Sequence, residues 1–193
     1  AHAPGADVEA LESLAEETAR RAAGELTDVT AASWRVHRTE PDRLGDGTGR
    51  HPSAFLDEAV IRMVEGPYDV VVVLTDVPLV SRRERIVPGL ASPIARVVVL
   101  STRTLLVGGR DEPRRSLSAD VVGWNAATLL LHLLGHLLGA RHGDGGVMEP
   151  FEFDPSRRSL PNFEADVGGR LRRIADRVPE EAVERGPLRR LGF

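Results

Sequence analysis

The apolar positions of the chain fall into a few distinct periodicities. Over residues 6–25, Val8, Leu11, Leu14 and Ala15 share one stripe, with Glu9, Glu12, Glu16 and Glu17 mostly opposite, which predicts an amphipathic helix. Residues 29–38 read as a strand with Trp34 and Val36 on one face. Residues 41–52, rich in Gly, Asp, Arg and Pro, read as a loop, and residues 53–65 as a second amphipathic helix through Phe55, Leu56, Val60, Ile61 and Val64. Tyr68–Leu74 is a run of strand formers with almost no polar interruption, the pattern of a central strand buried on both faces. A short strand is expected at 84–87, a Val-rich strand at Ala95–Ser101 and a connecting loop at 105–118. A long helix follows over about 119–139, then a turn over Gly143–Pro150, a last amphipathic helix over 163–178, and a weakly structured end from about 179 to 193.

This order predicts an α+β (α/β-like) fold, a mixed twisted sheet covered by helices and followed by a C-terminal helix. A length of 193 residues fits a single domain, 1–193. Within it, about 1–139 form an upper part with the sheet and the long helix, and about 140–193 a lower part. Composition narrows the function classes. The formal net charge is −4, so a nucleic-acid partner is not expected. All 25 Lys+Arg residues are Arg, which removes lysine chemistry and reads as codon bias of a GC-rich source. Six Arg-Arg pairs, among them Arg82-Arg83 and Arg114-Arg115, read as solvated faces with local ion pairs. There is no Cys, so disulfides and thiolate metal sites are excluded and any metal must be held by His, Asp or Glu. The longest apolar run, around Ala126–Ala140, is too short to span a bilayer and is interrupted by two histidines. No stretch reads as a signal peptide, so a soluble chain is expected, with compartment and oligomeric state left open.

The chemistry concentrates in His132-Leu-Leu-Gly-His136-Leu-Leu-Gly139-Ala-Arg-His142. His132 and His136 are four apart on a predicted helix, so their side chains lie on one face and can reach one ion. Gly139 can take the left-handed conformation that ends a helix, after which the chain can turn and bring back His142. Three protein ligands leave a fourth position open, the layout of a catalytic zinc site, and one zinc ion is expected. His2, His37 and His51 are isolated and read as surface residues.

The segment resembles the metzincin motif H-E-x-x-H-x-x-G-x-x-H with its following methionine turn, here Gly145-Gly-Val-Met-Glu-Pro150. The short spacer to Met148 is most similar to the archaemetzincin branch, as are Leu74-Thr-Asp-Val-Pro-Leu79 and Pro88–Ser101, so the resemblance covers about residues 68–150. It implies a metzincin-like sheet, an active-site helix, zinc at His132, His136 and His142, and Met148 as an apolar floor beneath the metal. It further implies that Arg96–Ser101 is an edge strand lining a cleft that takes an extended peptide or protein ligand. An ordinary sheet strand is an equal reading of those residues.

Two departures qualify the resemblance. The archaemetzincin cysteines of a second zinc site have no counterpart here, so a single metal is expected. Where the family has a glutamate that takes a proton from the metal-bound water and passes it to the leaving amine, this chain has Leu133. A leucine moves no proton, and positioned proton transfer contributes roughly 10²–10⁴-fold. Three readings follow: a zinc-binding pseudo-protease, a working zinc peptidase that uses Glu149, Glu152 or Asp144 instead, and a metal-free structural or interaction domain in which Leu133 extends the core.

Overall fold

The computed structural model describes residues 1–107, 114–143 and 145–176. Helix α1 covers Val8–Thr30, capped by Asp7, whose carboxylate accepts from the Ala10 amide at 3.0 Å. A 3-10 turn at Pro52–Phe55 leads into α2, Leu56–Glu65. Five strands follow: β1 Val71–Thr75, β2 Leu79–Val80, β3 Ile86–Val87, β4 Gly89–Ser92 and β5 Val97–Ser101. Then come the short α3, Arg103–Leu106, the long α4, Asp120–Leu137, a 3-10 turn at Gly146–Met148, and α5, Ala165–Ala175. The fold is the expected mixture of helices around a mixed sheet.

Strand β5 is the centre of that sheet. It pairs parallel with β1 and antiparallel with β4, while β2 and β3 form a separate hairpin. Every residue of β5 is buried, and its side chains alternate between two cores. Val98 and Leu100 face the cluster built by α1, α4 and α5; Val97 and Val99 face the cluster built by Phe55, Ala59, Val77 and Leu79. The sheet is thus clad on both faces, and α4 lies in the larger layer, buried on nearly all sides. Asn125, fully buried on α4, ties the lower segment to it: its amide donates to the Asp154 carbonyl and its oxygen accepts from the Asp154 amide. No helix among the described residues is long and apolar enough to cross a membrane.

Four expectations are corrected. The strand expected over 29–38 does not form. Helix α1 continues through Thr30 and ends at Ala31 in the left-handed region (φ 58°), and the next residues find no strand to pair with. Trp34 instead turns back to donate its indole N–H to the Thr30 hydroxyl at 3.0 Å, and Val36 is exposed. Tyr68–Leu74 does not give the central strand: β1 begins at Val71, has a neighbour on one side only among the described residues, and leaves Val72 exposed. Nor is Arg96–Ser101 an edge, because β4 covers it. On α2, Val60, Ile61 and Val64 lie exposed, since only the side carrying Ala59 meets the sheet. The expected end segment, 179–193, lies outside the described residues.

Candidate metal centre

Helix α4 places His132 and His136 one turn apart, and its C-terminus brings in the third imidazole. The Gly139 amide donates to the His136 carbonyl at 3.0 Å and the Ala140 amide to the Gly135 carbonyl at 2.8 Å. With Gly139 at φ +86°, this is a Schellman ending, which satisfies the last carbonyls of the helix and reverses the chain. His142 then faces back. Its Nε2 lies 3.1 Å from His136 Nε2, which lies 3.0 Å from His132 Nε2. The three form a group whose ligand atoms all lie within 4.8 Å of one another, and no carboxylate among the described residues joins them. Their burial is graded: His132 is buried, His136 half-buried and His142 exposed, so the group opens to solvent on the His142 side.

The backbone fixes which nitrogens carry protons. His132 Nδ1 lies 2.8 Å from the Val147 carbonyl oxygen, and His136 Nδ1 lies 2.9 Å from that of Ala140. A carbonyl only accepts, so both Nδ1 atoms donate, and both Nε2 atoms of the neutral rings present lone pairs. Two lone pairs facing each other at 3.0 Å repel unless a cation lies between them. Nitrogens at about 2.0–2.1 Å from a tetrahedral zinc are separated by about 3.3–3.4 Å, a few tenths of an ångström wider than here. The donor set therefore fits one metal ion held by His132, His136 and His142. Burial, the largest cause, pushes the His132 pKa below its ordinary value, with His136 and His142 adding to the shift and the Val147 carbonyl opposing it. Neutral imidazole is the form that binds metal.

The Gly146–Met148 turn supports this arrangement from below. Gly146 has φ +68°, and the Val147 amide donates to the Asn162 carbonyl at 3.0 Å, which aims the Val147 carbonyl at His132. The Met148 carbonyl accepts from the Gly143 amide at 3.1 Å, which ties this turn to the segment bearing His142. Met148 is buried, with its sulfur packed where a side chain on Gly135 would stand. Sequence reasoning passed over Gly135, although a glycine inside an apolar helix costs about 0.5–1 kcal/mol relative to Ala and so signals a close approach. It also passed over the carbonyls of Ala140 and Val147, which no side-chain pattern reveals.

Leu133 is a core residue. It is 6% exposed and belongs to the larger core. A Cβ built on Gly89 would stand 2.5 Å from Leu133 Cδ1 and 2.7 Å from the Val99 carbonyl oxygen. The leucine thus packs onto bare backbone at the start of β4, the edge strand. Glu149 and Glu152 are both exposed and outside the histidine group; Asp144 lies outside the described residues. A cavity of about 1770 Å³ between α1, residues 32–44 and β1 is lined by none of the three histidines.

No family model matches this chain, and no curated protein does. Solved structures do. A zinc-dependent peptidase from Methanocorpusculum labreanum aligns over 80% of this chain and 93% of its own, at 20% identity and a TM-score of 0.57. An archaemetzincin from Methanopyrus kandleri aligns over 91% of this chain and 93% of its own, at 22% identity and a TM-score of 0.61. At such identities the likeness is one of architecture, and the chain has the fold of the archaemetzincins.

Proposed function

We propose that this chain is a zinc-binding, metallopeptidase-like protein that holds peptide segments with hydrolysis absent or strongly impaired. The observation that carries this reading is the contrast at neighbouring positions. The His132 and His136 Nε2 lone pairs converge with His142, while Leu133 is a buried side chain packed on β4. Both structural neighbours align over 93% of their own chains, and one is named a zinc-dependent peptidase, which supports zinc as the metal.

Bound zinc would supply a Lewis acid that polarises a carbonyl and lowers the pKa of a coordinated water toward about 7. The chain's own residues divide the remaining work unequally. The Val147 and Ala140 carbonyls orient the imidazoles and keep Nε2 unprotonated, and in metal sites such outer partners are worth about 10–100-fold in affinity. On this reading the Gly146–Met148 segment is the Met-turn, with Met148 seated on Gly135. Among the described residues proton movement has no carrier: Leu133 neither accepts nor donates, and Glu149 and Glu152 stand outside the group. A bound amide would lack the acid that protonates its leaving nitrogen.

The test is metal content together with turnover. Plasma mass spectrometry of protein purified without chelator is expected to find about one zinc per chain, lost in His136→Ala, while a broad peptide library with zinc present is left uncut. Cleavage of the library that disappears in His136→Ala would overturn the impaired-hydrolysis reading. Zinc far below stoichiometry would overturn the metal.

A further inference from the structure

We propose that the β2–β3 hairpin selects acidic peptides, holding their carboxylates while the free edge of β4 pairs with the adjoining backbone. This rests on the peptide-binding reading above and adds a substrate class to it.

The edge comes first. The Ser101 amide donates to the Pro88 carbonyl at 2.9 Å, and β4 then runs antiparallel to β5 with Leu90 opposite Val99 and Ser92 opposite Val97. Antiparallel ladders alternate, so Leu90 and Ser92 use their backbone groups toward β5, while Gly89 and Ala91 turn theirs to the other side. No strand of the described residues lies there, and β4 ends the sheet they form. Such an edge accepts an extended chain by strand addition. Gly89 is also where Leu133 packs, so the edge borders the helix turn that bears the histidines.

The charge comes second. From Val77 to Leu100 the chain carries four arginines, Arg82, Arg83, Arg85 and Arg96, against the single acid Glu84, in a protein of formal net charge −4. All five are exposed. Arg82, Arg83 and Arg85 make no ion pair with any described residue, whereas arginines on α1 and α2 do. The hairpin tip that carries them is built to hold a shape. The Ser81 amide donates to the Arg85 carbonyl at 2.8 Å, the Glu84 amide to the Ser81 carbonyl at 2.9 Å, and the Arg85 amide to the Ser81 hydroxyl at 3.2 Å. Glu84 sits in the left-handed region at φ 56° to close it.

The two features lie on one continuous stretch. Gly89 lies four positions after Arg85, about 13 Å of extended chain at about 3.3 Å per residue. A peptide added antiparallel to β4 runs past Ala91, then Gly89, and leaves toward the hairpin. Its acidic residues belong on the C-terminal side of the paired segment, a few positions on. A nucleic-acid strand is the poorer match, because the tip offers no aromatic ring for base stacking and the protein as a whole is acidic.

The experiment measures binding and leaves turnover aside. Fluorescein-labelled peptides with an alternating Val-Ala segment followed by a run of Glu, Gln or Lys are titrated with zinc-loaded protein, read by anisotropy. The Glu peptide is expected to bind about tenfold more tightly than the Gln peptide, the scale of a few exposed ion pairs, with the Lys peptide weakest and the preference fading as salt rises. Arg82→Gln/Arg83→Gln/Arg85→Gln should abolish the preference and leave Gln-peptide binding unchanged. Ala91→Pro, which removes an outward N–H that β5 does not use, should weaken all three peptides alike. Equal binding of the Glu and Gln peptides would overturn the proposal, as would a preference that survives the triple variant. Tighter binding of an oligonucleotide of matched charge would overturn it in favour of nucleic acid. Zinc is measured in the same samples. Stoichiometric zinc without charge preference defeats this inference alone; charge preference without zinc defeats the metal reading and leaves this one standing.

Discussion

His132 and Leu133 are consecutive on α4, both buried, and have opposite relations to the protein around them. His132 is addressed by several distant groups: the Val147 carbonyl from the turn beyond the helix, His136 from the next helical turn, and His142 from the returning chain. Leu133 is addressed by packing alone, filling the space that Gly89 leaves empty. The first environment is specific for an imidazole with its proton on Nδ1. The second asks for an apolar group of the right volume. A metal-binding constellation can therefore stay intact while the adjacent position serves the core, because the two draw on different neighbours.

The sharpest way to break that contrast is to return a proton carrier. Leu133→Glu in zinc-loaded protein is expected to raise peptide hydrolysis above the wild-type background by about 10²–10⁴-fold, the range of positioned general acid–base catalysis. Initial rates on a quenched peptide library, with zinc content measured alongside, decide it. No gain with zinc bound would mean that the packing of position 133 against β4 keeps any side chain there away from the metal.

Truncation probes the packing half of the comparison. Leu133→Ala removes a side chain that is 6% exposed against rigid backbone, and should cost about 2–5 kcal/mol of stability by denaturant titration. Zinc affinity should change far less, since no ligand or carbonyl partner is touched. A large loss of affinity would show that Leu133 holds α4 in the position that aims His132.

The division between what was readable and what was not follows the same logic. The convergence of His132, His136 and His142 and the turn at Gly139 were legible because ligand spacing and helix termination are local properties, and the Schellman bonds at Gly139 and Ala140 realise that reading. The roles of β1 and β5 were not legible. Tyr68–Leu74 and Ala95–Ser101 are both Val-rich, and only the order of pairing makes β5 central and leaves β1 with one neighbour. Sequence places apolar runs in strands; it does not say which strand the others flank. Residues 29–38 show the limit from the other side. Trp34 and Val36 alternate as strand residues do, but no partner strand comes near, and Trp34 satisfies its N–H on the end of α1.

A pH titration sharpens the histidine side. Burial lowers the His132 pKa in the folded protein, so the unfolded chain takes up this proton first, near about 6.5. Between about 6.5 and the lower folded value the unfolded state binds more protons, and the stability of the metal-free protein must fall as pH falls through that window. Thermal melts of chelated protein should show this decline, and His132→Gln should flatten it. A decline unchanged in His132→Gln would assign it to other groups.

The smallest effect comes from the far end of the same helix. Arg21 on α1 lies 3.7 Å from the Trp124 ring centroid, bonds Glu17 at 2.6 Å and reaches Asp120 at 2.7 Å, so it fastens the first turn of α4 to α1. Its influence holds Glu17 and Asp120 below the usual carboxylate range, in Glu17 together with a larger contribution from Arg20. Arg21→Ala should therefore cost on the order of 1 kcal/mol, mostly the lost contact with Trp124, because the ion pairs face solvent. Zinc affinity should stay within about twofold, since a shift of a few tenths of a kcal/mol at the site is all that a remote, independent contact transmits. If affinity fell with stability, the imidazoles would depend on the seating of the whole helix, and the contrast between positions 132 and 133 would no longer be a local one.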